Sequence, residues 1–371
     1  MKKFSSPRLA AVAAIAVVAS AALAGCGSSS DSGSGSKSGG TDAGVILPDA
    51  TTSPRWESQD RPNLEKAFKN AGLKADIKNA QGDTAKFGQL CDSMINEGVK
   101  VLLITNLDNE SGAACLKKAK AAGVTSIDYD RLTLGGGAAY YVSFDNVKVG
   151  EAMGQGLISC LDAEKKTKAN IVYVNGAATD SNAALFKQGY AQALKPKLDS
   201  GAYKLVGDQS GEWDATKAGT VFDQMYTGNN GKIDGIISAN DTMAGGIIAR
   251  LKANKVAGKI PVTGQDAGVE GLQNILQGYQ CGTVYKNTTL EAKGASDLAI
   301  DLIKGDTKKA DALATSTSKD TQTGKDVKSV LEPVQWVTAA TVEKVITDGQ
   351  QKATDVCTGA VAALCTKYGV K

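Results

Sequence analysis

Strand and helix alternate through nearly the whole chain after Ala43, and the alternation runs twice. The first series reads as strand Ala43–Pro48, helix Asp60–Asn70, strand Ala75–Ala80, helix Thr84–Glu97, strand Val99–Thr105, helix Ser111–Ala122, and strands Val124–Tyr129 and Tyr140–Phe144. Apolar residues such as Phe87, Leu90, Cys91 and Met94 recur at helical spacing, and Gly98 and Gly123 stop their helices. Val99–Thr105 is a continuous apolar run, as strands buried on both faces are. The rhythm restarts at Asp145 with a helix to Leu161. Strands follow at Asn170–Val174, Lys204–Gly207, Gly235–Ala239, Ile260–Gly264 and Cys281–Tyr285, with helices between them and a last helix at Thr289–Lys304. Two such series predict an α/β chain of two doubly wound parallel-sheet lobes. Asp306–Lys328 reads as a polar surface excursion and Leu331–Val337 as a further strand. A helix from Ala340 and the Cys357/Cys365 segment complete the chain.

The N-terminus reads as an address. Lys2, Lys3 and Arg8 precede an apolar run from Leu9 to Leu23, short for a bilayer-spanning helix and suited to a secretory signal. Leu23-Ala24-Gly25-Cys26 has the form of a lipobox, so residues 1–25 read as a signal and Cys26 as a lipidation site. Residues 26–42, rich in Ser and Gly, read as a flexible tether with a span of about 20 Å. The folded part is then expected outside the cytoplasm, at the outer face of a bacterial membrane and held there by lipid alone.

Composition narrows the chemistry. Of 42 basic residues the signal takes three, leaving 39 against 39 acidic ones. No basic stripe points to nucleic acid. The chain has no His, which removes the usual general base, the usual zinc ligand and every Ser-His-Asp or Cys-His arrangement. No cofactor, metal set or catalytic residue is expected. Six cysteines remain after Cys26: Cys91, Cys115, Cys160, Cys281, Cys357 and Cys365. An even set outside the cytosol suggests disulfides, with fifteen possible pairings for six. Cys357 and Cys365 are near neighbours and are expected to pair. Cys91 and Cys115 lie on successive helices and can staple them, which leaves Cys160 and Cys281.

The ends of the strands carry the polar chemistry. Arg55-Trp56 follow the first strand, Asp130-Arg131 follow Val124–Tyr129, and Asp180-Ser181-Asn182 follow Asn170–Val174. Glu212-Trp213, Asn240-Asp241, Gln265-Asp266 and Lys286-Asn287 end the others. In open α/β sheets ligands sit outside the carboxyl ends of strands. Charged and amide groups match sugar hydroxyls as donors or acceptors, and Trp covers a C–H face. Competing readings stand beside these. Asp241 and Asp145 suit helix N-caps, Asp60 and Arg61 suit a helix start with surface charge, Trp213 suits a core, and Arg55-Trp56 suits a solvated turn. Gly135-Gly136-Gly137 precedes a strand, so it reads as a turn and not as a nucleotide loop.

With these residues in place, the chain resembles the periplasmic sugar-binding proteins of ABC importers, the type I fold of the ribose/arabinose/xylose group, and within it the D-xylose-binding branch. The resemblance spans about residues 43 to 345. It rests on Arg55-Trp56, on Tyr129-Asp130-Arg131 followed by Val142-Ser143-Phe144-Asp145-Asn146, on Asp180-Ser181-Asn182-Ala183, on Val206-Gly207-Asp208-Gln209 with Trp213, on Ser238-Ala239-Asn240-Asp241, on Gly264-Gln265-Asp266-Ala267 and on Val284-Tyr285-Lys286. It implies sugar contacts from Arg55, Trp56, Asp130, Arg131, Asn182, Trp213, Asn240, Asp266 and Lys286. It also implies hinge crossings near Phe144-Asp145, Lys286-Asn287 and Glu332-Pro333. Lobe one would be residues 43–144 plus 287–332, and lobe two 145–286 plus 333–371. Ser53-Pro54 and the six cysteines depart from the xylose-binding pattern.

The function expected is a lipid-anchored, monomeric receptor that binds a monosaccharide, xylose first among candidates, and docks on an ABC permease. Glucose, ribose, arabinose and galactose are the other ligands weighed. A sensory module for a membrane kinase or chemoreceptor would use the same pocket. A hydrolase would need two carboxylates, for which Asp130 and Asp266 are the available pair.

Overall fold

The structure is a computed structural model and describes residues 40–371. The signal, Cys26 and nearly all of the tether lie outside the described residues.

The first alternating series builds a sheet from β1 (Ala43–Leu47), β2 (Ala75–Asn79), β3 (Val101–Ile104), β4 (Thr125–Tyr129) and β5 (Tyr140–Phe144). The second builds on β6 (Ala169–Asn175), β7 (Tyr203–Ser210), β8 (Gly235–Ser238) and β9 (Thr283–Lys286). Three late strands return: β10 (Ser316–Lys319), β11 (Asp326–Glu332) and β12 (Val334–Val337). Sheet one has the order β10-β11-β5-β4-β3-β1-β2, with every pair parallel except β10–β11. β1 and β3, each flanked by strands on both sides, are wholly buried apolar runs.

Sheet two has the order β7-β6-β8, all parallel. Bridges Ile236↔Val262 and Gln265↔Val284 extend it to β9, which pairs antiparallel with β12. The expected strand Ile260–Gly264 is present only as the single bridge at Val262, since Pro261 has no N–H to give a ladder. Leu331–Val337 is two strands, not one. Pro333 divides it, and the halves join different sheets. The supposed surface excursion Asp306–Lys328 contains helix Thr307–Leu313 and strand β10, which covers the edge of β11.

Helices Asn146–Ala163 and Ser181–Asp199 pack backbone to backbone over sheet two. A Cβ on Gly150 would lie 2.0 Å from the Phe186 carbonyl oxygen, so the close approach requires glycine there. That contact seats Phe186 and Asn182 toward the strand ends. Three disulfides join Cys91 to Cys115, Cys160 to Cys281, and Cys357 to Cys365.

Side-chain caps start the helices that follow the strands. Asp145 accepts from the Lys148 N–H, Asp180 from Asn182, Asn240 from Met243 and Asn287 from Thr289. Asp145 is thus a cap, as its position suggested. Asp241 is not, because Asn240 caps that helix and leaves Asp241 inside the first turn.

Candidate functional site

The carboxyl ends of the strands of both sheets face one another across a narrow cavity. All nine residues singled out from the sequence line it: Arg55, Trp56, Asp130 and Arg131 from the side of sheet one, and Asn182, Trp213, Asn240, Asp266 and Lys286 from the side of sheet two. Thr52, Ser53, Asp180, Phe186 and Gln265 complete the wall. Hydrogen bonds join the two sides. Asn182 Nδ2 donates to the Asp130 carbonyl at 2.9 Å, Asn240 Nδ2 to the Thr52 carbonyl at 3.1 Å, and Ser53 Oγ to Asp266 Oδ2 at 3.0 Å.

Arg55 organises the floor. It is buried, not a solvated turn. Its Nε and Nη2 donate to Asp60 at 2.9 and 2.8 Å, Nη1 donates to Asp130 Oδ2 at 2.9 Å, and Nη2 also donates to Glu291. Four of its five N–H groups are taken among the described residues, and the fifth belongs to Nη1, beside Asp130. Its guanidinium lies 4.4 Å from the centre of the Trp56 ring. Asp60 is fully buried between Arg55 and the Tyr129 hydroxyl, so the expectation of a surface charge there is wrong. Arg61 is the residue that reaches outward, to Glu57 at 2.6 Å.

Burial pushes the Asp130 carboxyl up, but Arg55, Lys286 and Arg131 outweigh it and hold the group below the usual range. Asp130 is therefore an ionised acceptor. Its Oδ1 takes a 3.2 Å bond from Asn182 and has lone-pair room toward the cavity. Arg131 pairs with Asp180 at 3.0 Å and donates to the Asn106 carbonyl at 3.0 Å. Lys286 pairs with Asp266 at 3.1 Å. Donor and acceptor thus alternate around the wall.

Three wall residues hold left-handed backbone: Asp130 (φ 64°), Trp213 (φ 61°) and Asp266 (φ 92°). Non-glycine residues adopt this region at a cost, and such positions cluster at binding sites. The turns aim each side chain back over its own strand end. Trp56, Phe186 and Trp213 supply the apolar plates. Trp213 meets Phe186 edge-on, with ring centres 6.2 Å apart. It also lies flat over Gly176, where a Cβ would sit 2.0 Å from the indole. Trp213 is packed like a core residue and still faces the cavity. Its Nε1 and the Gln265 Oε1 are buried with no hydrogen-bond partner among the described residues.

Behind the wall, Asp241 accepts from the Gln280 amide at 2.7 Å, the Thr283 hydroxyl at 2.8 Å and the Gly268 N–H at 2.9 Å. It lines no part of the cavity; it ties the Asp266–Gly268 turn to β9. Burial pushes its carboxyl up to about 7, with Asp266 adding to the shift. Asp128, under Thr133, is likewise raised to about 7 by burial. In the unfolded chain both titrate near 4. Between pH 4 and 7 the folded state therefore holds protons that the unfolded state has lost, and stability falls as pH rises. Each group contributes a slope of about 1.4 kcal/mol per pH unit in that window. The melting temperature is expected to be higher at pH 5.5 than at pH 7.5, and replacing both Asp128 and Asp241 with Asn should flatten the difference. An unchanged profile in the double variant would assign the dependence elsewhere.

Sequence reasoning missed Asp60, Phe186 and Glu291. Phe186 stands one turn after Asn182 on the same helix, a spacing that was available as a signal. Glu291 sits in the first turn of its helix, where an acidic residue is common at the surface, and nothing local marks it as buried. Among the described residues no cluster of His, Cys, Asp or Glu is arranged to hold a metal.

The periplasmic binding protein domain family matches residues 44–307. The chain is 34% identical over 303 residues to the D-xylose-binding periplasmic protein of Escherichia coli, covering 81% of this chain and 88% of that protein. It is 30% identical over 321 residues to a multiple sugar-binding periplasmic receptor of Rhizobium radiobacter, covering 82% and 89%. A solved carbohydrate transporter solute binding protein from Chloroflexus aurantiacus, in complex with D-glucose, matches with a TM-score of 0.77 at 29% identity, over 85% of this chain and 98% of that one.

Proposed function

The chain belongs to the periplasmic binding protein family, and we propose that it is the sugar-binding component of a carbohydrate ABC importer, with D-xylose as its first ligand. One observation carries this reading: nine strand-end residues from both sheets converge on a single cavity that mixes fixed charges with tryptophan plates. Asp130, Asp266, Asn182 and Asn240 would accept from or donate to hydroxyls, Arg55, Arg131 and Lys286 would donate, and Trp56 and Trp213 would cover the ring faces. An epimer would leave one of these buried groups unpaired, which is a strong basis for discrimination.

Lobe one would be residues 43–144 plus 287–332, and lobe two 145–286 plus 333–371, hinged at the three crossings. Sugar would bridge them and favour the closed form over the open one. The closed form would dock on the membrane permease. Cys26 would carry the lipid that keeps the monomer at the membrane. Among the described residues no helix is long and apolar enough to cross a membrane.

A hydrolytic role is poorly supported. Glycoside hydrolysis needs one carboxyl that carries a proton. Asp130 is held ionised by its cations, and Asp266 is paired with Lys286.

The test is calorimetric titration with D-xylose, L-arabinose, D-ribose, D-glucose and D-galactose. Binding of D-xylose at least as tight as the others is the expected result. Preference for another sugar would replace the ligand and keep the function, whereas no binding to any of them would overturn the reading.

A further inference from the structure

The carboxyl that matters most behind this cavity does not touch it. Glu291 lies on helix Thr288–Ile303, fully buried, and is absent from the cavity wall. Its Oε2 accepts from Arg55 Nη2, while the neighbouring Nη1 donates to Asp130. Its Oε1 has no hydrogen-bond acceptor contact with any donor among the described residues. We propose that Glu291 is a positioning residue for sugar binding, which acts as a neutral carboxylic acid to hold Arg55 and Asp130 in register. The inference rests on the sugar-binding reading above.

The charge arithmetic of the cluster supports it. One guanidinium meets three carboxylates, Asp60 and Glu291 fully buried and Asp130 at the cavity wall. Lys286, Arg131 and the hydroxyls of Tyr129 and Tyr141 also face the cluster, with Arg131 paired to Asp180 and Lys286 to Asp266. Three ionised carboxylates around one buried cation leave uncompensated like charges, which a protein interior does not sustain. The proton resides on the member with the fewest donors. Asp60 accepts from Arg55 twice and from Tyr129. Asp130 accepts from Arg55 and Asn182. Glu291 accepts from Arg55 alone. Burial, reinforced by Asp130 and Asp60 against the opposing pull of Arg55, drives its carboxyl well above the ordinary glutamate range. A neutral Glu291 leaves no charge on the unpartnered Oε1, where an ionised one would bury it uncompensated.

A neutral acid is mimicked by an amide of the same shape. Glu291→Gln is therefore expected to bind D-xylose within about threefold of the unaltered protein, whereas Glu291→Ala frees one Arg55 N–H and should weaken binding by about tenfold to a hundredfold. Both titrations are run beside the unaltered protein with D-xylose and D-glucose, with far-UV circular dichroism as the check on folding. Loss of binding in Glu291→Gln equal to that in Glu291→Ala, or failure of the Gln variant to fold, would show that an ionised Glu291 is required and would overturn the inference. Full affinity in Glu291→Ala would overturn it too. Absence of sugar binding by the unaltered protein would instead sink the functional reading on which it rests.

Discussion

Asp130→Ala is expected to raise the dissociation constant for the bound sugar about a thousandfold, with the far-UV spectrum unchanged. The substitution removes an ionised acceptor from the wall and leaves the Arg55 Nη1 without its partner. It removes the Asn182 bond to the carboxylate but keeps the main-chain bonds at this point, because Asn182, Tyr141 and Ser143 all donate to the carbonyl of residue 130. Arg55 also keeps Asp60 and Glu291. The fold therefore survives with a cost of about 1–2 kcal/mol for an alanine at left-handed φ. Asp130→Asn separates the two effects, since asparagine tolerates that backbone and retains one acceptor. It should fall between the unaltered protein and the alanine variant. Near-normal affinity in Asp130→Ala would mean that sugar binds somewhere else.

The largest effect on stability is expected from the pair Cys160 and Cys281. This bond closes 121 residues, against 24 for Cys91–Cys115 and 8 for Cys357–Cys365. Chain entropy scales with the logarithm of the closed loop. Replacing both partners by serine should lower the unfolding free energy by about 5 kcal/mol for the long loop, about 3 for the middle one and about 2.5 for the short one. The long-loop bond ties helix Asn146–Ala163 to the residue whose N–H reaches the Val262 carbonyl, so it also pins the single-bridge segment of sheet two. Urea melts of the three double variants, read without reductant, test the ranking. A short-loop variant that loses as much as the long-loop variant would make native contacts, and not the loop, the source of the effect.

The parts of the fold that were legible in the sequence follow from simple physics. Continuous apolar runs gave β1 and β3, since a strand covered on both faces has no polar side to show. Polar residues directly after such runs marked the cavity wall, because strand ends are the one place in a doubly wound sheet where backbone and solvent meet a cleft. What was not legible depends on partners far away in sequence. Asp60 looked like a surface charge because nothing nearby reveals that Arg55 and Tyr129 enclose it. Glu291 is 236 residues from Arg55. The pattern of Leu331–Val337 read as one strand, and only the family resemblance set a crossing at Glu332-Pro333, where the strands before and after join different sheets. Residues 260–264 read as a strand by composition, yet with Pro261 among them they form only the isolated bridge at Val262.

The order in which the strands leave the ribosome has a consequence of its own. Sheet one is closed by β11 on β5, and sheet two by β12 on β9. Only Pro333 separates these two closing strands. A growing chain thus carries two unfinished sheets, each with a bare edge, until nearly the whole sequence has been made. Both are then completed within a dozen residues of each other. One short segment late in the chain therefore supplies a strand to each sheet, and its deletion would leave both with an open edge.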